Sequence, residues 1–417
     1  MTKDGAPDYD IIIAGGGMIG TSLALALAPL GLRVAVVEPV PGNAAEQPSF
    51  DDRSTALSRS TQRMFEAMGL WPAVVSTSTP IKNIHVSDQG RFGFSHIDAE
   101  EQRVEALGYV VINRVLGQVL QQTIADVRGL DWLSPASIVK LVRSDDAQLV
   151  TIEQSGRHRV LSCRLLVAAD GANSRVRDML GISALKVDYN QMAVVGNLLS
   201  QKPINNVAYE RFTASGPLAL LPVADNRTAF IWTLPPAEAA LVLQMPDKAF
   251  TQRLRTEFGG RLGEFSRVGR RAAYPLVLSK ANGLVGHRGV LVGNSAHGLH
   301  PVAAQGFNLG MRDVAALCDC LFDAQQAARA ANALFDPGSA VILDKYADWR
   351  RSDQGKLVRF TDGLVRLFGS SRKSLATLRN IGMLGFDLVP GVRRMFTRHT
   401  MGLAGSLPRL SRGVPLE

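Results

Sequence analysis

Near the N-terminus the apolar positions come first as an unbroken run and then at helical spacing. Asp10 to Ala14 suits a strand buried on both faces, GGGMIG follows at once, and Thr21 to Leu30 is rich in Leu and Ala. Gly31 reads as a helix terminator and RVAVVE, Arg33 to Glu38, as a second strand, which completes a β-turn-α-β unit. After a polar, proline-containing stretch at 39–52, Thr55 to Leu70 predicts a helix through Leu57, Phe65 and Met68, closed by Gly69. Val110 to Gln122 predicts a strand running into a helix, while Leu165 to Ala169 and Gly289 to Gly293 predict further buried strands. Alternation around Ile81 to Phe94 and Val194 to Thr233 (His85, Val86, Ser87; Ala229, Phe230, Ile231, Trp232) predicts antiparallel strands of a second domain. After Pro337 the pattern turns helical, and no repeat or low-complexity tract interrupts the chain.

Composition narrows this picture. A chain of 417 residues exceeds what one hydrophobic core usually supports, so two intertwined lobes are expected. Three cysteines without paired spacing give neither a disulfide framework nor a zinc site, and point to a reducing compartment. The start MTKDGAPDYD lacks the basic opening of a secretory signal, so a cytoplasmic location is expected. Ile11 to Leu32 carries no charge and is long enough for a membrane helix, yet its glycines and Pro29 fit a strand, turn and helix better. Net charge is +9, from 46 basic and 37 acidic side chains. Its distribution speaks for a membrane surface and against nucleic acid: Arg372, Lys373, Arg379, Arg393, Arg394, Arg398 and Arg409 are interleaved with apolar residues, with Asp387 the sole acid between 366 and 412. A helical tail packed on the main body is the alternative, and both readings stand on the sequence.

The chemistry concentrates in three segments. Gly15, Gly17 and Gly20 form GxGxxG between a strand and a helix, with Glu38 at the end of the next strand. The first glycine permits the turn, the second lets a pyrophosphate approach the backbone, and the third lets helix and strand pack closely. Helix N–H groups then face phosphate, and Glu38 would accept ribose hydroxyls. This motif alone does not separate FAD from NAD. The others are DGANSRVR, Asp170 to Arg177, and VLVGNSAHGLHPVAAQGFNLGMRD, Val290 to Asp313. His297 and His300 have helical i, i+3 spacing, but Pro301 argues against a helix and no carboxylate or cysteine cluster accompanies them, so no metal is expected. His297 is left as a general base or as a loop hydrogen-bonding group; Cys318 and Cys320 read as small core residues.

Together these segments resemble the flavoprotein aromatic hydroxylases of the para-hydroxybenzoate hydroxylase fold, and within them the ubiquinone-biosynthesis hydroxylases, over essentially the whole chain. HVSDQGRFGF (from His85) and YERFTASGPLALLPV (from Tyr209) are similar to the branch acting on 2-octaprenyl-6-methoxyphenol. The resemblance implies an α/β fold: a Rossmann-like FAD-binding domain over 1–80, 103–185 and 280–340, interleaved with a mixed or antiparallel sheet domain for substrate over 81–102 and 186–279, and C-terminal helices over 341–417. It implies FAD as cofactor, NAD(P)H as electron donor, and O2 adding at flavin C4a to hydroxylate a prenylated phenol. It further implies a place beside the inner membrane and in a quinone-biosynthesis complex.

Carried onto this chain, the resemblance sets Arg53 and Arg114 by the FAD diphosphate, with surface ion pairs as their alternative, and Asp170, Gly306 and Asn308 around the flavin, with Asn308 alternatively a helix cap and the helix starting near Gly306 aimed at the flavin pyrimidine. Pro301 and Ala304 would form the flavin-face loop, and Arg211 and Tyr274 the substrate side. Two positions depart from the family pattern: Asn294 replaces the acid of GDAAH, removing a charge but keeping hydrogen-bonding capacity, and Ala304 replaces a glycine. A halogenase is disfavoured because Trp71, Trp132, Trp232 and Trp349 are isolated, without a WxWxIP segment. A non-catalytic FAD-holding subunit, or a hydroxylase of another phenol, remains an alternative.

Overall fold

The computed structural model describes residues 6–41, 52–90, 94–298, 306–353, 397–398 and 400–417. The apolar runs become a parallel sheet in the order Gly289–Leu291, Arg157–Ala168, Tyr9–Ala14, Val34–Val37 and Leu130–Leu133. Helices or a hairpin cover both faces, which is why Ile11, Ile12 and Ile13 are wholly buried one after another and show no alternation. Met18–Leu27 and Gly306–Ala330 lie on one face with Ile11 and Ile13, while the antiparallel pair Ser137–Arg143 and Gln148–Gln154 shares the opposite core with Ile12.

A nine-stranded sheet runs His297–Gly298, Ala272–Ala281, Ala184–Ser200, Arg227–Leu234, Pro217–Val223, Val207–Phe212, Asn83–Asp88 and Phe94–Asp98, with Phe265–Ser266 on the Ala184–Ser200 strand. Its pairs are antiparallel except Val207–Phe212 with Asn83–Asp88. Strand alternation gives it two distinct faces. The outer face, with Tyr209, Leu220, Phe230 and Trp232, packs under helices Pro236–Gln244 and Asp247–Phe258. The inner face, with Ala208, Leu221 and Ala229, packs on Val110, Ile112 and Met401.

Between the two large sheets lies a small one, Ser54–Ser58, Gly108–Ile112 and Thr79–Ile81. It corrects the expectation of a helix over Thr55 to Leu70: the first residues pair with Gly108–Ile112, and the helix spans only Arg59–Ala67. Ser58 ends the strand and caps the helix, its side chain accepting Thr61 N–H at 3.3 Å. Strand Gly108–Ile112 running into helix Asn113–Ile124 agrees with expectation.

Ile11 to Leu32 divides into a strand and a helix, and no described helix is long and apolar enough to cross a membrane. Cys163, Cys318 and Cys320 are buried free thiols, and burial holds Cys163 and Cys320 up at about 12. Most of the basic 366–412 segment lies outside the described residues, as do Pro301 and Ala304. Of the basic residues that are described, Arg409 is drawn into the body by Asp319 at 3.2 Å and Asp323 at 2.8 Å. Nearby, Leu410 and Leu416 belong to the same core as Ile11.

Candidate active site

Parallel strands deliver their carboxyl ends to one edge, and the expected cofactor segments follow four of the five. Gly15 comes after Ala14, Glu38 after Val37, Asp170 after the strand ending at Ala168, and Gly293 after Leu291. Gly15 has φ +99°, and a Cβ there would stand 2.7 Å from the Ala169 carbonyl oxygen. At Gly20 a Cβ would fall 1.9 Å from the Gly15 carbonyl oxygen, so the helix packs on the turn as only glycine allows. Gly17 precedes helix Met18–Leu27 and supplies no side-chain cap, so the first-turn N–H groups keep their capacity for an anion. Glu38 is buried and fixes the turn from the next strand: its oxygens accept Gly16 N–H at 2.5 Å and Val40 N–H at 2.8 Å. These features fit the diphosphate and adenosine end of a dinucleotide.

Asp170 organises its own loop, accepting the Ser174 hydroxyl at 2.5 Å and Val176 N–H at 3.1 Å. Arg177, buried and not singled out from the sequence, donates to the carbonyls of Ala172 at 3.1 Å and Ser295 at 3.2 Å. It thereby ties the DGANSRVR loop to the Gly293–Ser295 turn. Asn294 is exposed on that turn, while Ser295 points inward and donates to Ala168 O at 2.6 Å.

Helix Gly306–Ala330 approaches the same edge with Gly306 at its start. Asn308 is buried: its carbonyl oxygen accepts Ser58 N–H and the Thr61 hydroxyl, each at 2.8 Å, and its amide donates to Ala56 O at 2.8 Å. The expected flavin-side asparagine therefore braces the helix start against strand Ser54–Ser58. One turn further on, Asp313 is wholly buried and gathers Gly293 N–H at 2.9 Å, His297 Nε2 at 2.6 Å and Arg350 Nε at 2.7 Å. Although burial alone would raise it, His297 and Arg350 hold the Asp313 carboxyl well below the usual carboxylate range. Arg350 also reaches Asp353, which binds Arg312 at 2.6 Å. His297 thus belongs to a structural ion network. The RD of GFNLGMRD was visible, but nothing in sequence spacing announced Arg350.

Arg53 and Tyr274 are brought together: the guanidinium lies 4.4 Å from the ring centroid, across the seam between the small and large sheets. Arg114 is exposed at the start of helix Asn113–Ile124 and pairs with Asp52 at 3.1 Å. Arg211 does not meet its expectation. It shares the outer face with Tyr209, and its Nε donates to Glu257 O at 3.0 Å near the end of helix Asp247–Phe258. That face already gathers cations, for His85 is pushed down to about 4 by burial and then by Arg261. The strand's two-residue period puts the neighbouring Glu210 on the inner face instead. Among the described residues no group of His, Cys, Asp and Glu could hold a metal ion.

Comparison with known proteins identifies the family. The FAD binding domain family model matches residues 8–361. The chain is 36% identical to the ubiquinone hydroxylase UbiL of Rhodospirillum rubrum, over 98% of this chain and 93% of that one. It is 31% identical to the 3-demethoxyubiquinol 3-hydroxylase of Escherichia coli, over 94% and 98%. Among solved structures, p-nitrophenol 4-monooxygenase PnpA of Pseudomonas putida superposes with a TM-score of 0.76 at 17% identity, covering 95% of this chain and 98% of that one. PqsL of P. aeruginosa gives 0.71 at 21%, covering 90% and 99%. The chain belongs to the FAD-binding-domain family, among the FAD-dependent ubiquinone-biosynthesis hydroxylases.

Proposed function

We propose that this protein hydroxylates the aromatic ring of a polyprenylated phenol on the route to ubiquinone, with FAD as prosthetic group, NAD(P)H as electron donor and O2 as oxygen source. The observation that carries the reading is the placement of a dinucleotide cradle beside an apolar sheet face: Ala208, Leu221 and Ala229 look toward the strand whose Ala56 and Ser58 hold Asn308. That face suits a greasy ring substrate. The relatives named for ubiquinone hydroxylation support the substrate class.

FAD, when bound, supplies hydride acceptance and oxygen activation. The chain's own groups have separate tasks. Gly15, Gly17, Gly20 and the start of helix Met18–Leu27 would hold the diphosphate, with Arg53 and Arg114 adding positive charge. Glu38 keeps acceptor capacity for ribose beyond the two N–H groups it already binds. Asp170 and Asn294 would flank the ribitol side of FAD, and the N-terminal dipole of helix Gly306–Ala330 would favour negative charge on its ring. Pro301 and Ala304 are proposed from the sequence alone as the flavin-face loop. Tyr274 would meet the substrate on the inner face, and the interleaved domain boundaries given above are the corresponding reading of the chain path.

Purified FAD-loaded protein should oxidise NADH or NADPH and add one oxygen to a short-chain prenylated phenol, followed by mass spectrometry. Asn294 in place of an acid favours one rival, an FAD-holding subunit of a biosynthetic complex. Bound flavin that NAD(P)H never reduces would decide for that rival.

The basic apolar segment gives the greasy substrate a route from lipid. Replacing Arg372, Lys373, Arg379, Arg393 and Arg394 by glutamine should weaken binding to anionic vesicles, and salt should weaken it in the wild type. Substitution is preferable to deletion after Val365, because deletion would remove Met401, Leu410 and Leu416 from their cores. Unchanged vesicle binding in the glutamine variant would overturn the membrane role.

A further inference from the structure

The inner face of the large sheet presents a row of residues in cross-strand register: Ser95, Val86, Glu210, Ala219, Ile231, Val195 and Ala272. Five are apolar, Ser95 carries a neutral hydroxyl, and Glu210 alone carries a carboxyl group. A carboxylate in such a row lacks the hydration it has in water, and nothing about folding the sheet calls for it. Its neighbours two residues away in the strand, Ala208 and Phe212, are apolar and buried.

Three further observations bear on what Glu210 meets. It is half-buried, set among protein atoms while keeping some accessible surface. Burial alone raises its carboxyl to about 7, with no charged neighbour contributing. The surfaces facing it are apolar: the small sheet and the C-terminal segment present Ala56, Val110, Ile112, Met401 and Leu403. Among the described residues, the ionisable groups placed toward this face include Asp88, at the end of the adjoining strand, Arg227, at the sheet's end and paired with Asp225, and the Arg53–Tyr274 pair, one row away beside Ala193.

We propose that Glu210 is a catalytic residue, whose carboxylate binds the phenolic hydroxyl of the substrate and accepts its proton as the ring is oxygenated. The inference rests on the reading of the protein as a phenol hydroxylase. In this step the phenol O–H bond breaks and a carboxyl O–H bond forms. The electron pair stays on the phenolic oxygen and enriches the ring toward the incoming electrophilic oxygen. The carboxyl returns its proton to solvent once product leaves. A base with a pKa near the working pH suits this task, and general-base catalysis contributes about 100-fold or more.

The test uses the FAD-loaded protein and E210Q, with flavin content and circular dichroism as folding controls. In wild type, kcat should rise through a limb near pH 7. In E210Q that limb should vanish, kcat at pH 8 should fall about 100-fold, and a nitro-substituted, more acidic phenol should recover much of the loss. Infrared difference titration supplies a readout independent of turnover. A protonated-carboxyl band with a midpoint near pH 7 should be missing in E210Q, and in wild type it should shift on binding the phenol but not its O-methyl ether. An E210Q profile that keeps the limb, or a band indifferent to the phenol, overturns the proposal while leaving hydroxylation intact. Wild type that oxygenates no phenol fails the functional reading itself, whereas the infrared band still reports whether Glu210 meets a phenol.

Discussion

One methyl group at position 20 would collide with the turn it packs on, because the Cβ would lie 1.9 Å from Gly15 O. Gly20→Ala should therefore cost roughly 1–3 kcal/mol of stability and release FAD, as read by thermal unfolding and by flavin remaining after gel filtration. Glu210 gives a residue-level expectation of opposite sign. Its carboxyl titrates at about 7 in the fold against an ordinary 4.5. Below pH 4.5 it is protonated whether folded or not, and costs nothing; stability is lost as pH rises through 7. Glu210→Leu should then raise stability at pH 8 by on the order of 2 kcal/mol and hardly change it at pH 4, checked by urea unfolding at both values. Gly15 and Gly20 were legible because their constraint is local and fixed by spacing. The face on which Arg211 falls was not, since a shift of one residue reverses the face and only the pairing of Arg211 with Leu218 fixes it.

At the scale of elements, helix Gly306–Ala330 is held at two successive turns, by Asn308 to the Ser54–Ser58 strand and by Asp313 to Gly293, His297 and Arg350. Asp313→Asn keeps the shape but leaves buried Arg350 with Asp353 as its one remaining carboxylate among the described residues. The expected loss is about 3–5 kcal/mol, measured as a fall in Tm at neutral pH. The sign with pH differs from that of Glu210. Asp313 is depressed below the ordinary 3.8, so its contribution is present at and above that pH and disappears only as acid is taken lower. The start of this helix was expected from the GFNLGMRD run and the family resemblance, whereas apolar spacing alone extended a helix across Thr55 to Ser58. Those residues are strand because Gly108–Ile112 offers them partners, and local propensity does not record partners.

Across the whole molecule, the parallel sheet was readable because strands buried on both faces carry unbroken apolar runs that need no neighbour to identify them. The contacts that join the sheets were not readable. Arg53 reaches Tyr274 over more than two hundred intervening residues, and stacking of this kind contributes about 1 kcal/mol when partly exposed. Arg53→Ala should loosen this seam and weaken FAD retention several-fold in equilibrium dialysis, whereas a purely diphosphate role would also be met by Arg53→Lys. Retention unchanged in the alanine variant would remove Arg53 from the cofactor site.

Leu410 and Leu416 share a hydrophobic core with Ile11 and Ile13. A nascent polypeptide emerging from the ribosome would display the opening strand and helix first, long before these two leucines are synthesised. The nucleotide-binding half therefore completes itself only after translation has passed residue 416, and until then its greasy surfaces need shielding by chaperones.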